Sequence, residues 1–86
     1  MTKAPTKSQR ERWERIRALG CSVCKAFLTE IHHCFTGMGG RKNHDLVIGL
    51  CNLHHTGKRG IHKIGRKAWQ ACYGTETEHL AKVEGI

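Results

Sequence analysis

Two short pairs constrain this chain more than any other feature: Cys21-x-x-Cys24 and Cys51-x-x-His54. Three thiolates and one imidazole at these spacings can close a tetrahedral zinc site. Each pair supplies two ligands from one tight turn, so a shared ion would tie two distant segments together. At 86 residues a hydrophobic core is marginal without such a staple. A structural Zn2+ is therefore expected on Cys21, Cys24, Cys51 and His54. With all four positions taken by protein, that ion has no open coordination position. Cys34 and Cys72 are read as ordinary thiols.

Five cysteines are an odd count, which argues against a secreted disulfide framework. The N-terminus is polar, with no apolar segment after Met1 of the kind a signal peptide needs. No apolar run approaches membrane-spanning length, so no membrane partner is expected. These features point to a cytoplasmic chain whose cysteines bind metal. The formal net charge of +8 points to a polyanionic partner, most simply DNA.

Residues 1–7 read as a flexible basic tail and 8–86 as one domain. Ser8-Gln9-Arg10-Glu11 has the capping-box pattern and predicts a helix over 8–19, stopped by Gly20. Trp13, Ile16 and Leu19 would form its inner face. Its arginines suit a solvated face balanced by Glu11 and Glu14. Glu30 to Phe35 reads as a first strand, with His32 and His33 on opposite sides because the strand period is two. Thr36 to Lys42 is a glycine-rich basic turn. Leu46 to Leu50 is the most apolar run and predicts a second, buried strand that delivers Cys51. A short helix over Asn52 to Thr56 would point His54 and His55 about 100° apart. A further helix is predicted from Ile64 to Tyr73, ending at Gly74. Thr75-Glu76-Thr77-Glu78 is a second capping box, opening a last helix through Val83. Leu80 and Val83 are its expected anchors, and His79 is expected to be exposed.

Six of the seven histidines lie between His32 and His62. Once His54 joins the zinc site, five of those six remain, more than a structural knuckle needs. A strand–loop–strand–helix unit pinned by zinc would gather His32, His33, His55 and His62. Three neutral imidazoles leave open positions on a divalent metal, as a catalytic site requires. A further, unligated imidazole can take a proton from water. Phosphodiester hydrolysis uses both parts.

The residues Cys21-x-x-Cys24, His32-His33, Gly39-Gly40 and Leu50-Cys51-x-x-His54-His55 resemble the HNH nucleases of the ββα-metal type. Over about the last three-quarters of the chain, the likeness narrows to the Ref family of phage recombination-enhancement nucleases, which act with RecA. It is carried by Ile31-His32-His33, Arg41-x-x-His44, Leu50-Cys51-Asn52-Leu53-His54-His55, Gly60-Ile61-His62, Gly65-Arg66-Lys67-Ala68-Trp69 and Tyr73-Gly74. The resemblance implies an α+β fold, a zinc-stapled ββα-metal core with flanking helices. It implies His33 as general base and His32, His55 and His62 as ligands of a catalytic divalent metal (Mg2+, Mn2+ or Zn2+). The roles of His32 and His33 can also be exchanged. Arg41, Lys42, Lys58, Arg59, Lys63, Arg66 and Lys67 would hold the DNA backbone, and a RecA filament would be the protein partner.

Two departures from the pattern stand out. An asparagine orients the base in the usual HNH motif, whereas here His44 stands near that place, with Asn43 and Asp45 beside it. Either His44 or Asp45 could orient His33. Ref proteins can carry a long basic N-terminal arm, and this chain has only Thr2 to Lys7, with the Arg10 to Arg17 helix as a partial substitute. The alternative from another class is a zinc-stabilised DNA-binding module without catalysis.

Overall fold

The computed structural model describes residues 4–35 and 43–86. The glycine-rich turn, with Gly39, Gly40, Arg41 and Lys42, lies outside the described residues, as do the first three residues of the tail. Among the described residues the architecture is α+β, with a two-stranded sheet and five helices. No helix among them is long and apolar enough to cross a membrane.

Helix α1 spans Lys7–Ala18 and starts earlier than expected. Its N-cap is Thr6, whose side chain accepts from the Gln9 backbone while Gln9 returns the bond. Thr6-x-x-Gln9 and Ser8-x-x-Glu11 are overlapping capping boxes, and tertiary structure selects the first. With Thr6 as cap, Gln9 also reaches Asp45 Oδ1 at 3.1 Å. Lys7 therefore belongs to the helix and not to the tail. At the other end Gly20 takes φ +84°, a conformation that favours glycine.

Strand β1 (Thr29–His33) pairs antiparallel with β2 (Val47–Cys51), from Thr29 opposite Cys51 to His33 opposite Val47. Every residue of β2 is buried. Its Val47, Ile48 and Leu50 join Ile16 of α1, Trp69 and Val83 in a single core. Gly49 allows α1 to cross the sheet closely: a Cβ there would meet Gly20 O at 3.4 Å and Ile16 Cγ2 at 3.5 Å.

After β2 come α2 (Asn52–His55), α3 (Ile61–Ile64), α4 (Arg66–Tyr73) and α5 (Glu76–Lys82). The helix expected from Ile64 to Tyr73 is thus two helices, broken at Gly65, whose φ of +91° takes the chain out of helical conformation. Gly74, at φ +100°, ends α4 as expected. The Thr75 capping box is present, with Thr75 Oγ1 accepting from Glu78 N and Glu78 Oε1 accepting from Thr75 N.

One expectation on α5 fails. His79 is 1% exposed, a core residue. Its Nε2 donates to Tyr73 O at 2.8 Å, which leaves Nδ1 to accept from the Ser22 hydroxyl. The inward face of α5 is Glu76, His79 and Val83, and two of those three are polar. Leu80 is only partly buried.

Candidate metal centres

Two groups of side chains converge at the junction of β2 and α2, and the shortness of α2 explains both. Cys51 ends β2 and is the N-cap of α2, so its sulfur sits one turn from the histidines that follow. His54 and His55 leave a four-residue helix in different directions. The Cys21–Cys24 turn is docked beside them by Ser22 N donating to Gly49 O at 2.8 Å. Within that turn Lys25 N donates to Cys21 O, and Val23 N points at Cys21 Sγ from 3.4 Å. Gly20 cannot be replaced without moving this turn, because a Cβ would lie 2.7 Å from Lys25 O.

Cys21, Cys24, Cys51 and His54 bring their ligand atoms within 4.8 Å of one another. Cys24 Sγ lies 3.7 Å from Cys51 Sγ, and His54 Nδ1 lies 3.2 Å from Cys51 Sγ and 3.9 Å from Cys21 Sγ. Tetrahedral zinc bonds require about 3.8 Å between two sulfurs and about 3.6 Å between sulfur and nitrogen. The four residues lie close enough to hold a metal ion, an arrangement compatible with structural zinc. Charge agrees. Burial opposes ionisation of the Cys21 thiol, but N–H groups of Cys51, Cys24 and Val23 outweigh it and hold the thiol below its usual range. Burial pushes the Cys51 thiol up, with the Cys24 and Cys21 sulfurs adding to the effect. One thiolate forms readily and the next resists, which is the condition a dication relieves.

The second group is His32, His55 and His62, also within 4.8 Å of one another. His55 Nε2 and His62 Nε2 are 3.1 Å apart. Two imidazole nitrogens on one metal ion sit about 3.0–3.4 Å apart in octahedral or tetrahedral geometry. His55 Nδ1 meets Glu30 Oε1 at 2.8 Å, so a neutral ring that donates there presents Nε2 as its lone pair. Glu30 and His32 share a face of β1 because they are two residues apart. His32 is buried, His55 half-buried and His62 exposed, so the group opens to solvent on the His62 side. The cysteine group has one exposed member, Cys24, and three buried ones.

Gly60 makes the convergence of His55 and His62 possible. A Cβ at Gly60 would lie 2.3 Å from His55 O and 2.4 Å from its carbonyl carbon. Backbone atoms cannot yield as a side-chain tip can. Gly60→Ala is expected to cost about 1–3 kcal/mol by overpacking, read as a lower urea midpoint. It should also separate the two rings and weaken metal binding there.

A third group, His32, Cys34 and Glu76, is fully buried. Burial, followed by the charge of Glu76, pushes the Cys34 thiol far up, so it stays protonated and is a poor ligand. Glu76 was not among the residues singled out from the sequence. Its neighbour two positions on, Glu78, carries the capping signal, and no apolar periodicity marks a carboxylate as inward-facing.

His33 leaves the opposite side of β1 from His32. Its Nε2 meets His44 Nδ1 at 2.9 Å, and its ring stands edge-on to Trp13 at 5.4 Å. Trp13 Nε1 donates to His44 O at 2.9 Å, which anchors His44. Of the two residues considered as orienting His33, the one in contact is His44. Asp45 instead accepts from Gln9.

The basic residues divide. Lys58, Arg59, Lys63 and Lys67 are exposed. Lys58 and Arg59 lie in the turn between His55 and His62, and Lys63 follows His62 directly. Arg66 is half-buried, with Nε 2.8 Å from Glu76 Oε1. A cation in the first turn of α4 is disfavoured by the helix dipole. Glu76 supplies the compensating negative charge.

Burial lowers His32 from 6.5 to about 4, against the opposing pull of Glu76. Burial lowers His79 and His62 as well. Because these folded-state values are depressed, the unfolded chain takes up protons first as pH drops. The stability they contribute is present above about pH 6.5 and is lost as pH falls toward 4. The urea midpoint should decline across that window, and a flat or rising profile contradicts the burial argument.

No protein-family model matches the chain, and no curated protein matches it.

Proposed function

We propose that the protein is a metal-dependent DNA endonuclease of the HNH, ββα-metal type, resembling the Ref nucleases. The observation that carries the reading is the three-histidine group, whose buried His32 Nδ1 has no hydrogen-bond partner among the described residues. Three imidazoles within reach of one another, one of them with a buried unpaired nitrogen and one exposed, suit a divalent cation with free positions. Such a cation, Mg2+, Mn2+ or Zn2+, supplies charge neutralisation of the phosphate and of the leaving oxygen.

The chain's own residues do the rest. His33 is the general base. Its Nε2 meets His44 Nδ1 at 2.9 Å, a contact that fixes which ring nitrogen carries the proton. His44 is then the residue that sets the His33 tautomer. Lys58, Arg59, Lys63 and Lys67 hold backbone phosphates, Arg66 offers its remaining guanidinium edge, and the resemblance gives Arg41 and Lys42 the same role. Contacts of this kind carry no sequence information, so cleavage is weakly specific unless a RecA filament directs it. Thiolate-bound zinc suits the reducing cytoplasm of a bacterial host.

A second reading is favoured by one observation. His33 and His32 leave opposite faces of β1, and Trp13 and His44 are among the neighbours of His33. That arrangement also fits a zinc-stapled DNA-binding module with no chemistry. Metal counting combined with plasmid nicking separates the two. The endonuclease takes up two ions per chain and nicks DNA only with divalent metal. His62→Ala should lose the second ion and the activity together. One ion per chain in excess divalent metal, with salt-sensitive DNA binding and no cleavage, establishes the binding module.

A further inference from the structure

We propose that Glu76 is the positioning residue of the second metal centre, holding His32 so that its Nδ1 faces the ion. The inference rests on the reading that His32, His55 and His62 bind a cation.

Glu76 lies on α5, 44 residues from His32 in sequence, and is 0% exposed. Its Oε2 lies 3.0 Å from His32 Nε2 and accepts from Phe35 N at 3.2 Å. Its Oε1 is paired with Arg66 Nε at 2.8 Å, an ion pair without the alignment of a hydrogen bond. Its own N–H donates to Gln70 Oε1 at 2.8 Å. A buried ion pair is seldom a net gain over well-packed apolar residues, so its presence calls for a use beyond packing.

The use follows from the imidazole. A carboxylate at Nε2 fixes the proton on that nitrogen. The lone pair is then on Nδ1, which is buried and has no hydrogen-bond partner. A buried polar atom left unsatisfied destabilises the fold. One ring nitrogen of His32 lies within 4.8 Å of ligand nitrogens of His55 and His62, and a cation bound through Nδ1 would supply the missing partner. A carboxylate on the far nitrogen of a ligating histidine fixes the ring and raises its basicity. Glu76 also holds the backbone at Phe35, which sits at φ +60° just past the strand. Ring and strand end are thus secured by one carboxylate. Arg66 occupies the other oxygen of that carboxylate, Oε1.

The test uses the full chain refolded with one equivalent of Zn2+, which fills the cysteine site in preference to Co2+. Calorimetric titration with Co2+ then reads the second site. Glu76→Gln should weaken Co2+ binding roughly 10–100-fold, with zinc content and far-UV circular dichroism unchanged. Glu76→Asp, which keeps the charge, should recover part of the loss. Equal Co2+ affinity in wild type and Glu76→Gln overturns the role of Glu76 alone. Failure of the wild type to bind Co2+ overturns the metal-centre reading and this inference with it. If Glu76→Gln does not fold, 15N–1H correlation of the wild-type His32 ring before Co2+ addition decides. An Nε2–H tautomer supports the proposal, and an Nδ1–H tautomer overturns it.

Discussion

Cys51→Ser is expected to leave the protein unfolded under conditions where the wild type is fully folded. Cys51 combines several positions in one residue. It closes β2 opposite Thr29, is the N-cap of α2, and places its sulfur 3.7 Å from Cys24 and 3.2 Å from His54. Serine preserves the backbone role, since it is itself a good N-cap, and removes only the thiolate. Structural zinc contributes roughly 10–16 kcal/mol of apparent binding energy at neutral pH. Domains of this size have roughly 5–15 kcal/mol of total stability. Loss of the ion therefore exceeds what the core can absorb. Far-UV circular dichroism and the fluorescence of buried Trp69 report the change. Adding a chelator to the wild type should do the same, and returning Zn2+ should reverse it. A cooperative transition at the wild-type temperature in Cys51→Ser would end the assignment of these residues as the staple.

His33→Ala should lower the rate of plasmid nicking roughly 10²–10⁴-fold, the usual contribution of a positioned general base. Its half-buried ring contacts Trp13 and His44 but is not part of the main hydrophobic cluster, so folding and zinc content should survive. Single-turnover cleavage with Mg2+ or Mn2+ isolates the chemical step from DNA binding. Two companion variants separate the possible orienting residues. His44→Ala should lower the rate by less than His33→Ala, because water can replace the lost hydrogen bond but not hold the tautomer. Asp45→Ala should leave the rate unchanged, since that carboxylate faces Gln9. Full activity in His33→Ala would remove it as the base and turn attention to the exchanged roles of His32 and His33. No cleavage in any form, with intact DNA binding, would leave the binding module as the remaining reading.

The two metal groups share one local device. Leu50-Cys51-Asn52-Leu53-His54-His55 passes from an extended strand to a single helical turn, and that change of period divides Cys51, His54 and His55 between the two groups. Cys51 and His54 face the cysteine turn. His55 faces His32 and His62. Trp69 closes the back of the junction by donating from Nε1 to His54 O at 3.1 Å. Mutations that change the pitch of α2 should therefore disturb both sites together. Substitutions on the His62 side should affect only the open one.

Metal-ligand spacing was legible without coordinates, because ligands three residues apart in a turn are brought together by local geometry alone. So were the buried strand around Ile48 and the helix ends at Gly20, Gly74 and Thr75. In each of those the cause lies within a few residues. The opposite faces of His32 and His33 followed from strand periodicity in the same way. What long-range packing decided was different in kind. It chose Thr6 over Ser8 as the cap by giving Gln9 a partner in Asp45, and it broke the expected helix at Gly65. It also buried His79 against Ser22 and Tyr73, and placed Glu76 between His32 and Arg66. A polar residue turned inward leaves no mark in an apolar pattern. Its cost is met in part by distant partners, His32 for Glu76 and Ser22 for His79, and only the folded chain brings those partners within hydrogen-bond reach.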